Sequence, residues 1–224
     1  MMLAASQSGE RFPASPGARA FCPTCNSEVI AKCGEVKVWH WAHQSLKDCD
    51  VWSEPESEWH YNWKVLAGID NTEIVISNAL GDVHRADIKV NGRVIELQHS
   101  TLSTREVRER ENFYGTMIWV IDGSSIGDFR LERWFSSKGK PYYKLDKIKR
   151  SWVLEITKPV FFHFESLFFQ YTNRWEDAGY GRWRKVQEPT EPEAYSDVLV
   201  KWSNQKFAAI ISKKAFCENI LGEF

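Results

Sequence analysis

The stretch that decides the fold runs from residue 83 to residue 100 and reads VHRADIKVNGRVIELQHS. Asn91-Gly92 at its centre indicates a two-residue β-hairpin, because a type I′ turn needs positive φ at both central residues. The flanking runs ADIKV and RVIELQ predict two antiparallel strands. Closing the hairpin at this turn predicts the cross-strand pairs Val90–Arg93, Lys89–Val94, Ile88–Ile95 and Asp87–Glu96.

Two carboxylates are therefore expected to face each other on the hairpin. Like charges directly opposite each other are destabilising, and a hard divalent cation such as Mg²⁺ would remove the repulsion between Asp87 and Glu96. Side chains alternate along a strand, so Gln98 is expected on the face of Glu96 and Lys89 on that of Asp87. The alternative is a solvent-exposed hairpin edge on which Arg85 or Lys89 neutralises the acids.

A helix is predicted before the hairpin. Ser53 and Glu56 form a capping-box pattern, S-x-x-E, which predicts a helix over residues 54–68. Glu56, His60 and Lys64 would then lie one turn apart on one stripe. The neighbouring apolar stripe is predicted to contain Trp59, Trp63 and Leu66. The alternative for the first stripe is an ordinary charged helix surface.

A second capping box, at Ser103 and Glu106, predicts a helix that continues to Tyr114. Glu106, Arg110 and Tyr114 share one stripe of this helix, where a guanidinium and a phenol suit contact with phosphate. An internal pair between Glu106 and Arg110 is equally compatible with the spacing. The alternating run 73–77 and the apolar run 117–122 predict two further strands.

A cysteine- and histidine-rich segment occupies residues 21–50. Structural zinc sites take four nitrogen or sulfur ligands, and a C-x₂-C pair followed by a second pair is typical of small zinc modules. The predicted zinc ligands are Cys22, Cys25, His43 and Cys49, with His40 as the substitute for either member of the second pair. His40 and His43 would face opposite ways in an extended stretch, so one of them is expected to bind. A small hairpin is predicted between residues 28–32 and 35–39. The alternative is a set of free thiols and scattered histidines.

The motifs R-A-D-I and I-E-L-Q-x-S, an upstream E-S-x-x-H-x-x-x-K and the Cys/His segment together resemble the competence protein CoiA-like family. That resemblance implies a PD-(D/E)XK-type nuclease core, with a restriction-endonuclease-like mixed sheet flanked by helices, in the α/β (α+β) class. Asp87 and Glu96 would then hold a catalytic Mg²⁺ or Mn²⁺, which Glu56 or His60 from the helix would complete. Gln98 stands where the superfamily usually has Lys. Ser77-Asn78 replaces an acid that the family often has near the end of its preceding strand.

The resemblance implies a metal-dependent DNA endonuclease, in DNA uptake, recombination or defence, with RNA not excluded. Lys64 or Lys89 would supply the positive charge that Gln98 lacks, and Ser100 would contact phosphate. One alternative is an inactive or weakly active nucleic-acid-binding accessory protein. Another is a zinc-stapled module whose aromatic C-terminal half binds a protein.

Composition gives no global sign of nucleic-acid binding, since 29 Lys and Arg stand against 30 Asp and Glu. Residues 130–185 are locally basic, with a net charge of +7. Aromatic residues are interleaved there, which suits phosphate contact with base stacking or, equally, a basic face over an aromatic core. No signal peptide or membrane span is recognisable in the sequence. We therefore expect a cytoplasmic protein without membrane contact.

The predicted organisation has five parts. They are a flexible N-terminus (1–20), a zinc-binding module (21–50), a nuclease core (51–125), a strand-rich basic and aromatic extension (126–186), and an acidic linker with a C-terminal helix (187–224). Within the extension, short strands are predicted at 140–144, 152–157, 160–164 and 167–171, with a hairpin turn at Glu165-Ser166 and a basic loop at 174–185. The linker is placed at 187–194 and the helix at 196–220. The C-terminal part is also the predicted surface for an oligomer or a protein partner.

Overall fold

The computed structural model describes residues 3–5, 8–44, 49–52, 56–126, 130–135, 141–146, 151–177, 182–202 and 207–221. The chain divides into two compact units, Met1–Glu96 and Leu97–Phe224. Within the described residues, no helix is both long enough and apolar enough to cross a membrane.

The first unit begins with a small antiparallel sheet in the order β2-β1-β3-β4-β5. Its strands are β1 (Leu3–Ala5), β2 (Arg11–Pro13), β3 (Arg19–Phe21), β4 (Glu28–Lys32) and β5 (His40–His43). Val29 and Trp41 are buried in its core together with Cys22. The first twenty residues thus contribute strands to this sheet, unlike the flexible segment predicted there.

The predicted hairpin in this sheet needs one correction. Strand β4 lies where expected, but its partner begins at His40, which pairs with Lys32. Residues 33–39 form the connection, where the Trp39 indole donates a hydrogen bond to the Gly34 carbonyl. The predicted strand at 35–39 was wrong because this longer connection, rather than a turn at Cys33-Gly34, sets the register.

Helix α1 (Glu58–Ala67) begins later than the capping-box pattern predicts. Its N-cap is Ser57, whose hydroxyl accepts a hydrogen bond from the backbone N–H of His60 at 3.3 Å. Ser53 lies outside the described residues. Glu56 therefore precedes the helix, and the predicted stripe through Glu56, His60 and Lys64 is wrong at its first member.

The buried face of α1 also differs from the prediction. It consists of His60, Trp63, Lys64 and Ala67. Leu66 is 41% exposed. Two polar side chains thus occupy the core-facing side of this helix, and their partners are described with the site below.

Three antiparallel strands follow, which are β6 (Thr72–Ser77), β7 (Val83–Val90) and β8 (Arg93–Gln98). The predicted register of the hairpin is confirmed at the three pairs nearest the turn, Ile88–Ile95, Lys89–Val94 and Val90–Arg93. Both turn residues have positive φ, 49° at Asn91 and 74° at Gly92, as a type I′ turn requires.

The second unit contains two α-helices and six strands that begin in it, counted over the described residues. They are α2 (Thr104–Tyr114), β9 (Met117–Asp122), β10 (Arg130–Phe135), β11 (Pro141–Asp146), β12 (Val160–Asp177), β13 (Trp183–Trp202), β14 (Phe207–Ser212) and α3 (Lys213–Phe216). Strands β9 and β12 are parallel, while β12, β13 and β14 pair antiparallel. The reciprocal capping box of Ser103 and Glu106 is present at α2. Mixed strand directions, few helices and a strand-rich C-terminal part confirm the predicted fold class.

Several C-terminal elements differ from the prediction. Strand β12 continues through Glu165-Ser166, where a hairpin turn was expected, and Ser151–Glu155 is a 3₁₀ helix instead of a strand. Strands β12 and β13 include residues 174–177 and 183–185 of the predicted basic loop. Strand β13 also occupies the predicted acidic linker, and much of the predicted helix at 196–220 is strand. Pairing with β12 decides this outcome. Pro189 is tolerated because β14 pairs with β13 only at residues 198–201, which leaves this part on an edge.

The prediction that aromatic residues of the basic extension stack on nucleic-acid bases can be compared with the structure at Trp152. Trp152 is buried, so it is a core residue. The side chains of the other predicted stacking residues, Trp134, Tyr142, Tyr143, Trp175 and Trp183, lie outside the described residues. Arg182 and Arg184 are exposed.

Candidate functional site

Four potential metal ligands converge in the first unit. The ligand atoms of Cys22, Cys25, His43 and Cys49 all lie within 4.8 Å of one another. We call these four residues the Cys/His module. Cys22 directly follows β3, and His43 ends β5. The Cys22 carbonyl accepts a bond from Asn26 N–H, which closes the turn that carries Cys25.

Distances within the module fit a tetrahedral metal. The Sγ atoms of Cys22 and Cys49 are 3.7 Å apart, and Cys25 Sγ lies 3.3 Å from His43 Nε2. Ligands of a tetrahedral zinc with ordinary bond lengths are about 3.8 Å apart. His40 is outside this group, and its Nδ1 is 2.8 Å from the Val38 carbonyl. The structure thus brings together the four predicted ligands rather than the substitute.

Electrostatics in the module favour a bound cation. Burial, and next the neighbouring Cys22, raise the pKa of Cys49 to about 12. Burial lowers the pKa of His43, which keeps its imidazole in the neutral form that binds metals. Burial opposes ionisation of Cys25, but hydrogen bonds with Ser27 outweigh it and lower the pKa of this thiol. A cation would supply the charge that thiolates need here, so the donor set fits zinc.

A second group of polar side chains surrounds the buried ammonium of Lys64. Its Nζ lies 2.6 Å from Glu73 Oε1, 3.1 Å from Glu56 Oε2 and 3.3 Å from Asp87 Oδ1. Burial alone would lower the pKa of Lys64, but these three carboxylates outweigh it and raise the pKa. Lys64 therefore remains a cation in the interior of this unit.

Glu73 links Lys64 to a second cation. Arg85 Nε lies 2.9 Å from Glu73 Oε2. Burial would raise the pKa of Glu73, but Arg85 and then Lys64 hold it well below its usual range. The backbone of Glu73 has a φ of 54°, a conformation uncommon outside glycine. The Arg11 guanidinium supports it by donating to the carbonyls of Thr72 and Glu73.

The predicted acidic pair lies beside these residues. Glu96 is buried, and its Oε1 accepts a long hydrogen bond of 3.4 Å from the Asp87 backbone N–H. The Asp87 side chain is 22% exposed, which makes it the solvent-facing carboxylate of the pair. We call the whole group, with two more carboxylates than cations, the carboxylate cluster: Glu56, Glu73, Asp87, Glu96, Lys64 and Arg85.

The other predicted site residues have defined positions. His60 is buried, with Nδ1 2.7 Å from the Ser57 hydroxyl. Gln98 is buried in the second unit, and its Nε2 donates to the hydroxyl and carbonyl oxygens of Ser100. Arg110 is buried and Tyr114 is half-buried, so neither lies on an open helix surface.

Sequence reasoning missed Glu73 and Asp50. It looked for an acid at the end of strand 73–77, whereas Glu73 is at its beginning. Antiparallel pairing of Thr72 with Ile88 brings this end of β6 beside Asp87. A predicted register for the β6–β7 pair would therefore have pointed to Glu73. Asp50 carried no sequence signal beyond its position after Cys49.

Together these features define a mixed α+β protein with a Cys₃His module that could bind a metal such as zinc, and with a buried carboxylate cluster. Residues 17–52 match the family described as Competence protein CoiA, N-terminal domain. Over 46 residues the chain is 44% identical to Competence protein CoiA of Bacillus subtilis (strain 168), which covers 20% of this chain and 12% of that protein. These findings support the predicted resemblance to the CoiA-like family over the N-terminal residues that they cover.

The extent of these matches is small. The chain spans about 12% of the length of the curated relative that it matches. No solved structure matches the chain.

Proposed function

We propose that this protein is a divalent-metal-dependent nuclease that hydrolyses phosphodiester bonds in DNA. The observation that supports it best is the placement of Asp87 and Glu96 on paired strands, inside a cluster with more carboxylates than cations. Mg²⁺ is usually bound through one or two carboxylates, with waters and substrate phosphates as its other ligands. Asp87 and Glu96 fit such a site for Mg²⁺ or Mn²⁺.

A third protein ligand is not required for this proposal. Among the described residues, the group of three or more potential ligands that converges within 4.8 Å is the Cys/His module. The acidic pair therefore suits a hydrated Mg²⁺ or Mn²⁺ better than a metal that needs a closed protein cage. His60 and Glu56 remain candidates for orienting a water next to the pair.

The bound metal ion would lower the pKa of a water molecule and polarise the phosphoryl oxygen. Lys64 would supply the fixed positive charge that neutral Gln98 cannot, since its Nζ is 3.3 Å from Asp87 Oδ1. Its raised pKa suits electrostatic stabilisation and not proton transfer. Ser100, Arg110 and Tyr114 remain proposed contacts for the nucleic acid.

Zinc in the Cys/His module would have a structural role. The strands of the N-terminal sheet have three to five residues each, and such a small sheet needs a staple beyond its apolar core. All four ligand positions are supplied by the protein, which is typical of structural zinc and leaves no open position for a substrate.

One observation favours the alternative of a nucleic-acid-binding accessory protein without catalytic activity. Lys64 contacts three carboxylates at once, so the cluster has an internal cation that partly serves the role of a metal. In that case the protein would bind DNA without cleaving it.

The test is a cleavage assay with the zinc-loaded protein. Single-stranded, duplex and branched DNA, and single-stranded RNA, are incubated with added Mg²⁺, Mn²⁺ or Ca²⁺, or with no added divalent ion. Omitting the ion is preferable to EDTA, which would also remove zinc. We expect cleavage with Mg²⁺ or Mn²⁺, and its loss in Asp87→Asn.

Asp70→Asn is the matched control, since Asp70 is an exposed acid of the same unit. Cleavage that persists in Asp87→Asn would refute the proposed site. DNA binding without cleavage on every substrate would favour the accessory protein. Failure to bind DNA or RNA even at low salt, where phosphate contacts are strongest, would point to a protein-binding module.

A further inference from the structure

Asp50 occupies an unusual position between the two candidate metal sites of the first unit. It directly follows the module ligand Cys49 in the sequence, and its side chain is 1% exposed. Its Oδ1 accepts hydrogen bonds from His84 Nδ1 at 2.8 Å and from Trp52 N–H at 3.0 Å. Its Oδ2 accepts a bond from the backbone N–H of Arg85 at 2.7 Å. One buried carboxylate thus fastens the segment after Cys49 to strand β7.

The neighbouring rings reinforce this attachment. The Trp52 ring stacks on His84, with centroids 3.3 Å apart and an interplanar angle of 10°. The sequence D-x-W therefore contacts β7 through both a carboxylate and an aromatic face. These contacts fix the strand two or three residues before Asp87.

From β7 the contacts continue into the carboxylate cluster. The side chain of Arg85 pairs with Glu73, and Glu73 pairs with Lys64. Lys64 in turn contacts Asp87. An unbroken series of buried polar contacts therefore leads from the residue after Cys49 to the proposed metal-binding carboxylate.

A second attachment runs from the N-terminal sheet to the same cluster. Arg11, in β2, donates to the backbone carbonyls of Ile69, Thr72 and Glu73 at 2.9, 2.7 and 3.3 Å. The backbone of Glu73, with its positive φ, is thus held directly by the sheet that carries the Cys/His module.

We propose that Asp50 is a positioning residue that couples metal binding at the Cys/His module to the geometry of Asp87 and Glu96. A bound metal fixes Cys49, Cys49 fixes Asp50, and Asp50 fixes the backbone of Arg85 and thereby the cluster. The consequence for catalysis rests on the proposed function, whereas the coupling of the two sites does not. Asp50 itself is not a ligand of either metal.

The first arm of the test measures hydrogen exchange in residues 83–90. Exchange is compared in zinc-loaded wild type, zinc-depleted wild type and zinc-loaded Asp50→Asn, with Asp70→Asn as control. We expect faster exchange in this strand both on zinc removal and in Asp50→Asn, although the variant keeps its zinc. Strand β14 serves as the reference for global unfolding and should not change.

The second arm measures binding of Mn²⁺ by electron paramagnetic resonance. We expect Asp50→Asn to weaken the binding that depends on Asp87 by roughly 10-fold or more, as for other residues that orient metal ligands. Asp50→Ala should have the larger effect, because asparagine keeps one carbonyl acceptor. In zinc-depleted protein the Asp50 substitution should have little further effect, since the coupling is then already lost.

The two measurements distinguish failure of the proposed coupling from failure of the proposed nuclease function. Unchanged exchange in residues 83–90 in both zinc-depleted wild type and zinc-loaded Asp50→Asn would overturn the coupling, whatever the nuclease assay shows. An effect of Asp50→Asn that is the same with and without zinc would also overturn it, since a merely structural carboxylate behaves in that way. If wild type shows no Mn²⁺ binding that depends on Asp87, the proposed function fails, and the exchange arm alone decides the coupling. If Asp50→Asn does not fold, Arg11→Gln is used instead. It tests the attachment of the N-terminal sheet to the Glu73 backbone by the same hydrogen-exchange and Mn²⁺-binding measurements.

Discussion

Lys64 shows how a single residue can determine the electrostatics of a whole site. It is a helix residue, and its buried ammonium lies among carboxylates. Its neighbours Glu56, Glu73 and Asp87 come from three different parts of the first unit. Removal of this one ammonium would leave Arg85 as the remaining cation among the four carboxylates of the cluster.

The first residue-scale prediction concerns the stability that Lys64 provides. Breaking a buried ion pair by removing one partner is strongly destabilising, since it leaves the other charge unpaired. We expect Lys64→Gln to lower the free energy of unfolding by about 3 kcal/mol or more, measured by urea denaturation. Lys89→Gln is the matched control and should have little effect. Equal stability of the two variants would mean that the buried contacts of Lys64 do not contribute.

A second prediction concerns acid stability and Glu73. Its pKa in the folded state is held below its unfolded value of about 4.3, so the folded state binds fewer protons than the unfolded state in that range. The resulting stabilisation is present above pH about 4.3 and is lost as the pH falls towards the lower, folded pKa. We expect the unfolding free energy of wild type to fall with pH below about 4.3, and Glu73→Gln to reduce this slope.

The comparison is made by urea denaturation at several pH values. Glu58→Gln, at an exposed position of α1, serves as the control and should keep the wild-type slope. A slope in Glu73→Gln that matches wild type would show that other carboxylates cause the acid sensitivity.

At the scale of elements, the hairpin β7–β8 is specified locally. The turn residues and the alternation of apolar and polar residues along the strands predict the same register, and this register is observed. Local pairing in the hairpin therefore places Asp87 and Glu96 on adjacent strands. The long strand β13 differs in this respect, because its polar and proline-containing N-terminal half becomes strand through pairing with β12.

The element-scale prediction tests the turn. Gly92 has a φ of +74°, where a side chain is strained even though nothing lies within 4 Å of the added Cβ. We expect Gly92→Ala to cost about 1–2 kcal/mol, measured by urea denaturation. Gly34→Ala is the control, because the space around its Cβ is also open and no positive φ is recorded there. Gly34→Ala should be neutral or slightly stabilising, and a similar loss in both variants would argue against turn strain.

At the scale of the whole molecule, the metal module is expected to maintain the N-terminal sheet. Structural zinc contributes its binding energy to folding, because the four ligands converge only in the folded chain. We expect about one zinc per chain in the purified protein and a lower melting temperature after chelation. The measurements are metal analysis and thermal unfolding followed by circular dichroism.

Ligand substitutions sharpen this prediction. His43→Ala should lose zinc, whereas His40→Ala should keep it, since only His43 lies in the module. In the same way Cys25→Ser should lose zinc and Cys33→Ser should keep it. If His40→Ala lost zinc and His43→Ala kept it, the zinc ligand would be His40 and not His43.

The sequence by itself determined the features that depend on neighbouring residues. They are the type I′ hairpin with its register next to the turn, the capping box at Ser103, and the C-x₂-C pair with its second pair of potential metal ligands. Short-range backbone preferences and the fixed alternation of strands are sufficient for these. The start of helix α1 was misplaced because Ser57, which lacks the S-x-x-E pattern, caps the helix four residues after Ser53.

Only the tertiary structure decided which distant groups meet. It brought Glu73 and Arg85 to Lys64, attached Asp50 to strand β7, and turned the predicted linker and C-terminal helix into strands. These outcomes depend on the pairing of segments that are far apart in the sequence and on the burial of charges that need partners. The intrinsic preference of a residue for helix or strand is weak, and tertiary pairing routinely overrides it. For this physical reason, sequence patterns alone did not predict these contacts and strands.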